Sequence, residues 1–202
     1  MTQTTMRQGH AGANRKFTFA DYLDYNDGID FRHELENGDI VIMPTASPLH
    51  AEIIRLLFLL MNQEIVRLGR KDKVFATGVG IRTGIRTSRE PDICIIHAED
   101  WEALRKQNPK SAIVERPPLL VVEVVSPGED NREKDYKLKV REYQELGISE
   151  YWVVDPEDEK VTVFTLQNRS NYLASEFKGI DIIKSQYFSE LELIVDHLFI
   201  TF

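Results

Sequence analysis

The apolar run Leu119-Leu120-Val121-Val122-Glu123-Val124-Val125 contains a single carboxylate. A stretch this continuous reads as a strand buried on both faces. An ionised carboxylate there costs on the order of several kcal/mol unless it is paired, protonated or bound to a cation. An arginine or backbone donors would satisfy Glu123 as well as a metal ion would. Asp92 supplies a second acid. It follows Pro91 and leads into Ile93-Cys94-Ile95-Ile96, a second apolar strand, although alone it is also a residue that opens a strand from a turn. If these two strands are neighbours the carboxylates meet, and like charges so close repel unless a cation lies between them. Two carboxylates completed by backbone oxygen and water make a magnesium-type site.

Other side chains could join that chemistry. Over residues 131–146, at about 100° per residue, Tyr136, Val140, Tyr143 and Leu146 form one apolar stripe. Lys139 falls inside the stripe, whereas Lys134, Lys137 and Arg141 point away. An inward lysine needs an anion, unless it snorkels to water. Asp135, one turn earlier, suits the N-terminal half of a helix on electrostatic grounds alone. Glu34 lies between His33 and Leu35 in a short strand, solvated, ion-paired or facing a site. His50 sits in the first turn of a buried helix, as a satisfied histidine or as a group facing the chemistry. Arg82, Arg86 and Arg89 surround a glycine-rich turn and either touch phosphates or decorate a solvated hairpin edge.

Several chemistries are excluded. The histidines show no helix-ligand pair, there is no Gly-x-Ser-x-Gly elbow, and Gly78-Val79-Gly80-Ile81-Arg82-Thr83-Gly84 misses the dinucleotide pattern by one position. One cysteine, Cys94, excludes a disulfide framework and a multi-thiolate zinc site, and fits a reducing, cytoplasmic setting.

The elements that must position these residues follow from local pattern. Thr18 caps a helix over 18–27. Asn37-Gly38 joins the strands 31–36 and 39–43 in a hairpin, because both residues tolerate positive φ. Ser47-Pro48 opens a long helix ending at Gly69. Residues 73–86 read as a hairpin or two short strands, 91–96 as a strand and 99–107 as a short helix. Strand 119–125, helix 131–146 and strand 150–154 make a βαβ unit, so its strands are parallel. Residues 160–166 return antiparallel, and 172–202 hold one or two strands and a short terminal helix. The reading is an α/β (α+β) chain with one mixed sheet flanked by helices: a tail over 1–16 and a single domain over 17–202.

Composition sets the outer bounds. The 202 residues are 42% hydrophobic and 29% charged, enough for a core of one domain without staples. The longest apolar run, Leu56 to Met61, falls far short of the roughly 18 residues of a membrane span. A net charge of −8 argues against bulk polyanion binding, so contact with nucleic acid must rely on a local basic patch or on metal ions.

Taken together, the chain resembles the PD-(D/E)xK nucleases and, more narrowly, the Uma2 family of restriction-endonuclease-like proteins. The matching text is Arg32-His33-Glu34-Leu35-Glu36-Asn37-Gly38-Asp39-Ile40, Ser47-Pro48-Leu49-His50, Glu90-Pro91-Asp92 and Glu123-Val124-Val125-Ser126-Pro127. It continues through Asp135, Lys139 and Tyr143 to the segment Gly147 to Pro156, in all roughly residues 17–200. The resemblance implies a restriction-endonuclease-like fold and Mg²⁺- or Mn²⁺-dependent cleavage of DNA. Asp92 and Glu123 would be metal ligands with the Val124 carbonyl, Glu34 an extra acid near the metal, and a homodimer would serve two strands. One position departs: the superfamily lysine usually stands two residues after the glutamate, where this chain has Val125, and Lys139 takes its place. A non-catalytic binding protein of the same fold, or a hydrolase of small phosphate esters, are the rival expectations.

Overall fold

The computed structural model describes residues 16–25 and 32–200. The tail expected over 1–16 lies, apart from Lys16, outside the described residues, as does residue 31. Helix α1 (Phe19–Leu23) ends before Asp24 and Tyr25, short of the expected span 18–27, whose residues 26 and 27 lie outside the described residues. Thr18 and Asp21 close a reciprocal capping box at its start. Strands β1 (His33–Glu36) and β2 (Asp39–Ile42) pair antiparallel around Asn37 and Gly38, whose φ values are 49° and 84°. A Cβ on Gly38 would meet Lys16 Cβ at 2.8 Å, so this corner requires glycine for space as well as for its torsion.

Helix α2 (Pro48–Arg67) starts as expected, with the Ser47 side chain accepting the His50 N–H and proline in the first turn. Its buried stripe is His50, Ile53, Leu57, Met61 and Ile65. After it come β3 (Lys73–Ala76), β4 (Gly80–Gly84), β5 (Thr87–Arg89), β6 (Ile93–Ile96), α3 (Ala98–Gln107), β7 (Ile113–Val114) and β8 (Leu120–Val124). The next helix is continuous but has three parts: α4 (Glu129–Glu133), a π-helical turn (Lys134–Leu138) and α5 (Lys139–Leu146). Strands β9 (Glu150–Asp155), β10 (Lys160–Gln167) and β11 (Asn171–Lys178) and a 3₁₀ turn (Val195–Leu198) complete the chain.

Helices and mixed sheets pack as an α+β fold, but the expected single sheet is two. Among the described residues, one sheet runs β11-β10-β9-β8-β6-β3 and the other β2-β1-β5-β4-β7. Residues 73–86 hold two short strands, the second of the two expectations, and not a hairpin: β3 pairs with β6 in the larger sheet, while β4 pairs with β5 and β7 in the smaller one. Between them Thr77 and Gly78 both take positive φ and turn the chain out of one sheet toward the other. The βαβ unit is as expected, with β8 parallel to β9 and Val121 opposite Tyr151.

The larger sheet carries a core on each face, and β8 divides its side chains between them. Leu120, Val122 and Val124 pack with α2 and the C-terminal segment, whereas Val121 and Val125 pack with Tyr143, Tyr151 and Phe164. Alternation therefore sends Glu123 to the α5 side.

A second strand carboxylate, Glu150, is fully buried and shows how this fold satisfies a structural acid. Its Oε1 accepts from Trp152 Nε1 and Ser185 Oγ, both at 2.6 Å, and its Oε2 from the Gln186 and Tyr187 N–H groups. Three of these four bonds fasten residues 185–187 to β9, and the Trp152 bond lies within the strand. Glu150→Ala leaves the donors buried without acceptors, and urea unfolding should show a loss of about 3–4 kcal/mol. A loss below about 1 kcal/mol would mean that the C-terminal segment docks without them.

Candidate active site

Asp92 and Glu123 meet because β6 and β8 are neighbours. The antiparallel register pairs Ile93 with Val122, and one further step sets Asp92 opposite Glu123. Asp92 sits in the bend just before β6, where its carbonyl accepts the Thr77 N–H. Its Oδ2 accepts the Val124 N–H at 2.7 Å, and Oδ1 lies 3.1 Å from His50 Nε2. Since the Val124 N–H points to the β6 side, its carbonyl lies along that same edge of the strand.

The helix meets this pair with three residues spaced four apart. Lys139 Nζ lies 2.9 Å from Glu123 Oε2 and 2.9 Å from Asp135 Oδ1, and the Tyr143 hydroxyl donates to Glu123 Oε1 at 2.8 Å. Lys139 therefore faces inward and does not snorkel, being only 4% exposed. Asp135 belongs to the π-helical turn, and its backbone carbonyl accepts from the Tyr151 hydroxyl. Such turns recur at functional sites because they redirect a few side chains within a helix. By local pattern Asp135 is only a residue that suits the helix dipole. The signal that finds it is the spacing Asp135, Lys139, Tyr143, one helical face aimed at Glu123.

The electrostatics separate these acids. Burial pushes the Glu123 carboxyl up to about 8 despite the Lys139 charge, and Asp135, Asp92 and Glu34 push the same way. Asp135 is raised too, chiefly by burial. Burial would lower the Lys139 ammonium, but the Asp135, Glu123 and Glu34 charges raise it well above its ordinary range. Glu34 is the opposite case. Burial would raise it, yet Lys139, Lys134 and Arg89 overcome that and hold it at about 2.

Glu34 is thus already matched. It accepts from Lys134 at 2.7 Å, from Arg89 at 3.1 Å and from the Glu90 N–H at 3.1 Å, and it reaches Lys139 through its field. Arg89 departs from the expectation of a nucleic-acid contact. It is fully buried, with its donors on Glu34, Glu36 and Glu142, because carboxylates distant in sequence surround it. Arg82 pairs with Glu115 and stacks on Phe19. Arg86 is exposed at the β4–β5 turn. His50 is buried against Asp92, which takes it off the surface a duplex would touch.

The donor set suits a hard cation. Asp92 and Glu123 offer oxygens only, and the carboxylates of this cluster outnumber the one ammonium that bridges them. Burial and the neighbouring acids raise the Glu123 carboxyl even with Lys139 beside it, and a cation as well as a proton would offset that cost. Among the described residues no three His, Cys, Asp or Glu side chains converge as a ready cage. A cation here would be held by the Asp92 and Glu123 carboxylates and the Val124 carbonyl, with water or substrate oxygens completing its shell, which is the magnesium habit.

No described helix is long and apolar enough to cross a membrane. The fold is similar to the crystal structure of a putative nuclease belonging to DUF820 from Anabaena variabilis ATCC 29413, with a TM-score of 0.71. The two share 21% identity over 91% of this chain and 97% of the other, a likeness of fold. No protein of curated function matches the sequence. Residues 19–196 match the model of the Uma2 family, described as a putative restriction endonuclease, so the chain belongs to the Uma2 family.

Proposed function

We propose that this protein is a divalent-cation-dependent endonuclease that hydrolyses phosphodiester bonds in DNA, with Mg²⁺ or Mn²⁺ on Asp92 and Glu123. The observation that carries the reading is the buried ammonium of Lys139, 2.9 Å from Glu123 and from Asp135, beside a second carboxylate at Asp92. A structural acid such as Glu150 needs only neutral donors, whereas Glu123 keeps a cation and an elevated carboxyl beside further acids.

A bound cation would polarise a phosphoryl oxygen and lower the pKa of a water. The chain's own residues do the rest. Tyr143 and Lys139 fix the two oxygens of Glu123, and the Val124 N–H fixes one oxygen of Asp92. The Lys139 ammonium, charged throughout the neutral range, opposes negative charge developing on the phosphorus oxygens. Glu34 and Asp135 act on the site through Lys139. Cutting both strands of a duplex in one encounter takes two such sites, so the reading extends to a homodimer.

Titration calorimetry with Mn²⁺, followed by a plasmid-cleavage assay, tests it. Asp92→Asn and Glu123→Gln should each weaken Mn²⁺ binding at least about tenfold and remove cleavage. Cleavage at the wild-type rate by either variant would take that residue out of the reaction. One observation favours a narrower substrate: Arg82 and Arg89, two of the three arginines expected to touch phosphates, are occupied by the protein's own carboxylates. A small phosphodiester needs no long basic groove. Comparing bis(p-nitrophenyl) phosphate with plasmid and single-stranded DNA separates the two substrates.

A further inference from the structure

His50 is the first member of the buried stripe of α2, ahead of Ile53, Leu57, Met61 and Ile65. Core packing at this place asks for an apolar residue. A histidine instead brings two ring nitrogens into the interior, and only one has a partner. Nε2 lies 3.1 Å from Asp92 Oδ1, while Nδ1 is buried with no hydrogen bond among the described residues. A carboxylate oxygen can only accept, so the imidazole form with its hydrogen on Nε2 is the one that suits this contact. The polar half of this side chain therefore serves Asp92 and nothing else described.

The contact completes a two-point hold. One oxygen of Asp92 takes the Val124 N–H from the sheet, and the other lies 3.1 Å from the imidazole Nε2 carried by the helix. A carboxylate tied at one oxygen still swings about that bond, and one tied at both does not. Each oxygen keeps a second lone pair, since a carboxylate offers about four acceptor positions. The element behind His50 is stiff. Ser47 and Pro48 fix the first turn, with the His50 N–H 3.2 Å from Ser47 Oγ, and four buried apolar residues anchor the rest.

We propose that His50 is a positioning residue for Asp92: its imidazole, carried on the start of α2, locks the carboxylate opposite Glu123 with free lone pairs turned to a shared divalent cation. This rests on the cation-site reading above. The His50 role predicts its own pattern of metal affinity.

The experiment is Mn²⁺ calorimetry without nucleic acid on wild type, His50→Leu and His50→Gln, with the metal-free melting temperature of each. His50→Leu should bind Mn²⁺ about 10–100-fold more weakly, the usual cost of removing a partner that orients a ligand. Its metal-free melting temperature should not fall, since the leucine suits the stripe. His50→Gln keeps an N–H donor at the reach of Nε2 and should restore affinity to within about threefold of wild type. If leucine disturbs the helix, His50→Ala carries the same comparison. Unchanged affinity without the imidazole overturns the proposal. So does a glutamine variant as weak as the leucine one, since the ring itself would then be needed as a ligand. Failure of wild type to bind Mn²⁺ at all removes the cation reading and this role with it, and differs from the other outcomes because wild type itself is silent.

Discussion

Arg89→Met is expected to cost about 3–5 kcal/mol of folding stability, as buried ion pairs do when one partner is removed. The guanidinium on β5 is fully buried. It donates to Glu34 at 3.1 Å, to Glu36 at 2.8 Å and twice to Glu142, at 2.8 and 2.6 Å. Methionine retains much of the volume, so the loss measures charge left uncompensated rather than a cavity. Urea unfolding gives the number, and a loss below about 1 kcal/mol would deny the cluster a structural role. The same network predicts acid sensitivity. Glu34 is depressed from 4.5 to about 2 in the folded protein, so its contribution is present above pH 4.5 and disappears as pH falls through 2. That contribution is about 3 kcal/mol by linkage. Arg89→Met removes one of the charges that depress Glu34, so the variant's stability should fall less steeply over that interval. The clamp also bears on chemistry, because Glu142 stands one turn beyond Lys139 on α5. Tying it to β5 fixes the helix that presents the lysine.

Local signals carried much of this architecture. Asn37-Gly38, Ser47-Pro48 and the apolar runs at 119–125 and 150–154 each produce the expected element, because turn torsions, capping and burial act within a few residues. Asp92 and Glu123 stood out for the same reason, as charges inside apolar strands. What stayed hidden depended on distant partners. Arg89 looks like any charged hairpin residue until Glu34, Glu36 and Glu142 are folded around it. The division into two sheets turns on Thr77, a non-glycine residue at φ 58°, which no composition marks. β7 is two residues in a polar stretch and forms only because β4 lies beside it. The π-helical turn adds one residue to a hydrogen-bonded ring and changes nothing in the periodicity that could be read beforehand. His50 was visible as a residue near chemistry, but its contact with Asp92 joins a helix start to a strand start 42 positions later.

Lys139→Met should lower cleavage by about 10²–10³-fold, the scale on which a single group stabilising developing charge is felt. It should also make stability fall with rising pH more steeply than in wild type, where the same two carboxyls are already raised. Without the ammonium, Glu123 and Asp135 face each other and Asp92 with no cation between them. Both carboxyls are already raised by burial, and removing Lys139 removes the charge that opposed the rise. A group whose folded pKa lies above its unfolded one stabilises the fold at low pH and loses that contribution as pH rises through the folded value. The deficit of the variant should therefore be small near about pH 5 and grow toward pH 9, read as urea midpoints of both proteins across the series. A deficit that grew toward acid would mean that these carboxyls are not the ones Lys139 neutralises. Assaying cleavage near about pH 6, where the protonated variant keeps most of its stability, separates the chemical loss from unfolding. Full activity there would leave Lys139 as a buried counter-ion only. Lost activity in a folded variant that still binds Mn²⁺ at that pH would mean that the same ammonium which balances Glu123 and Asp135 is also the charge that the reaction uses.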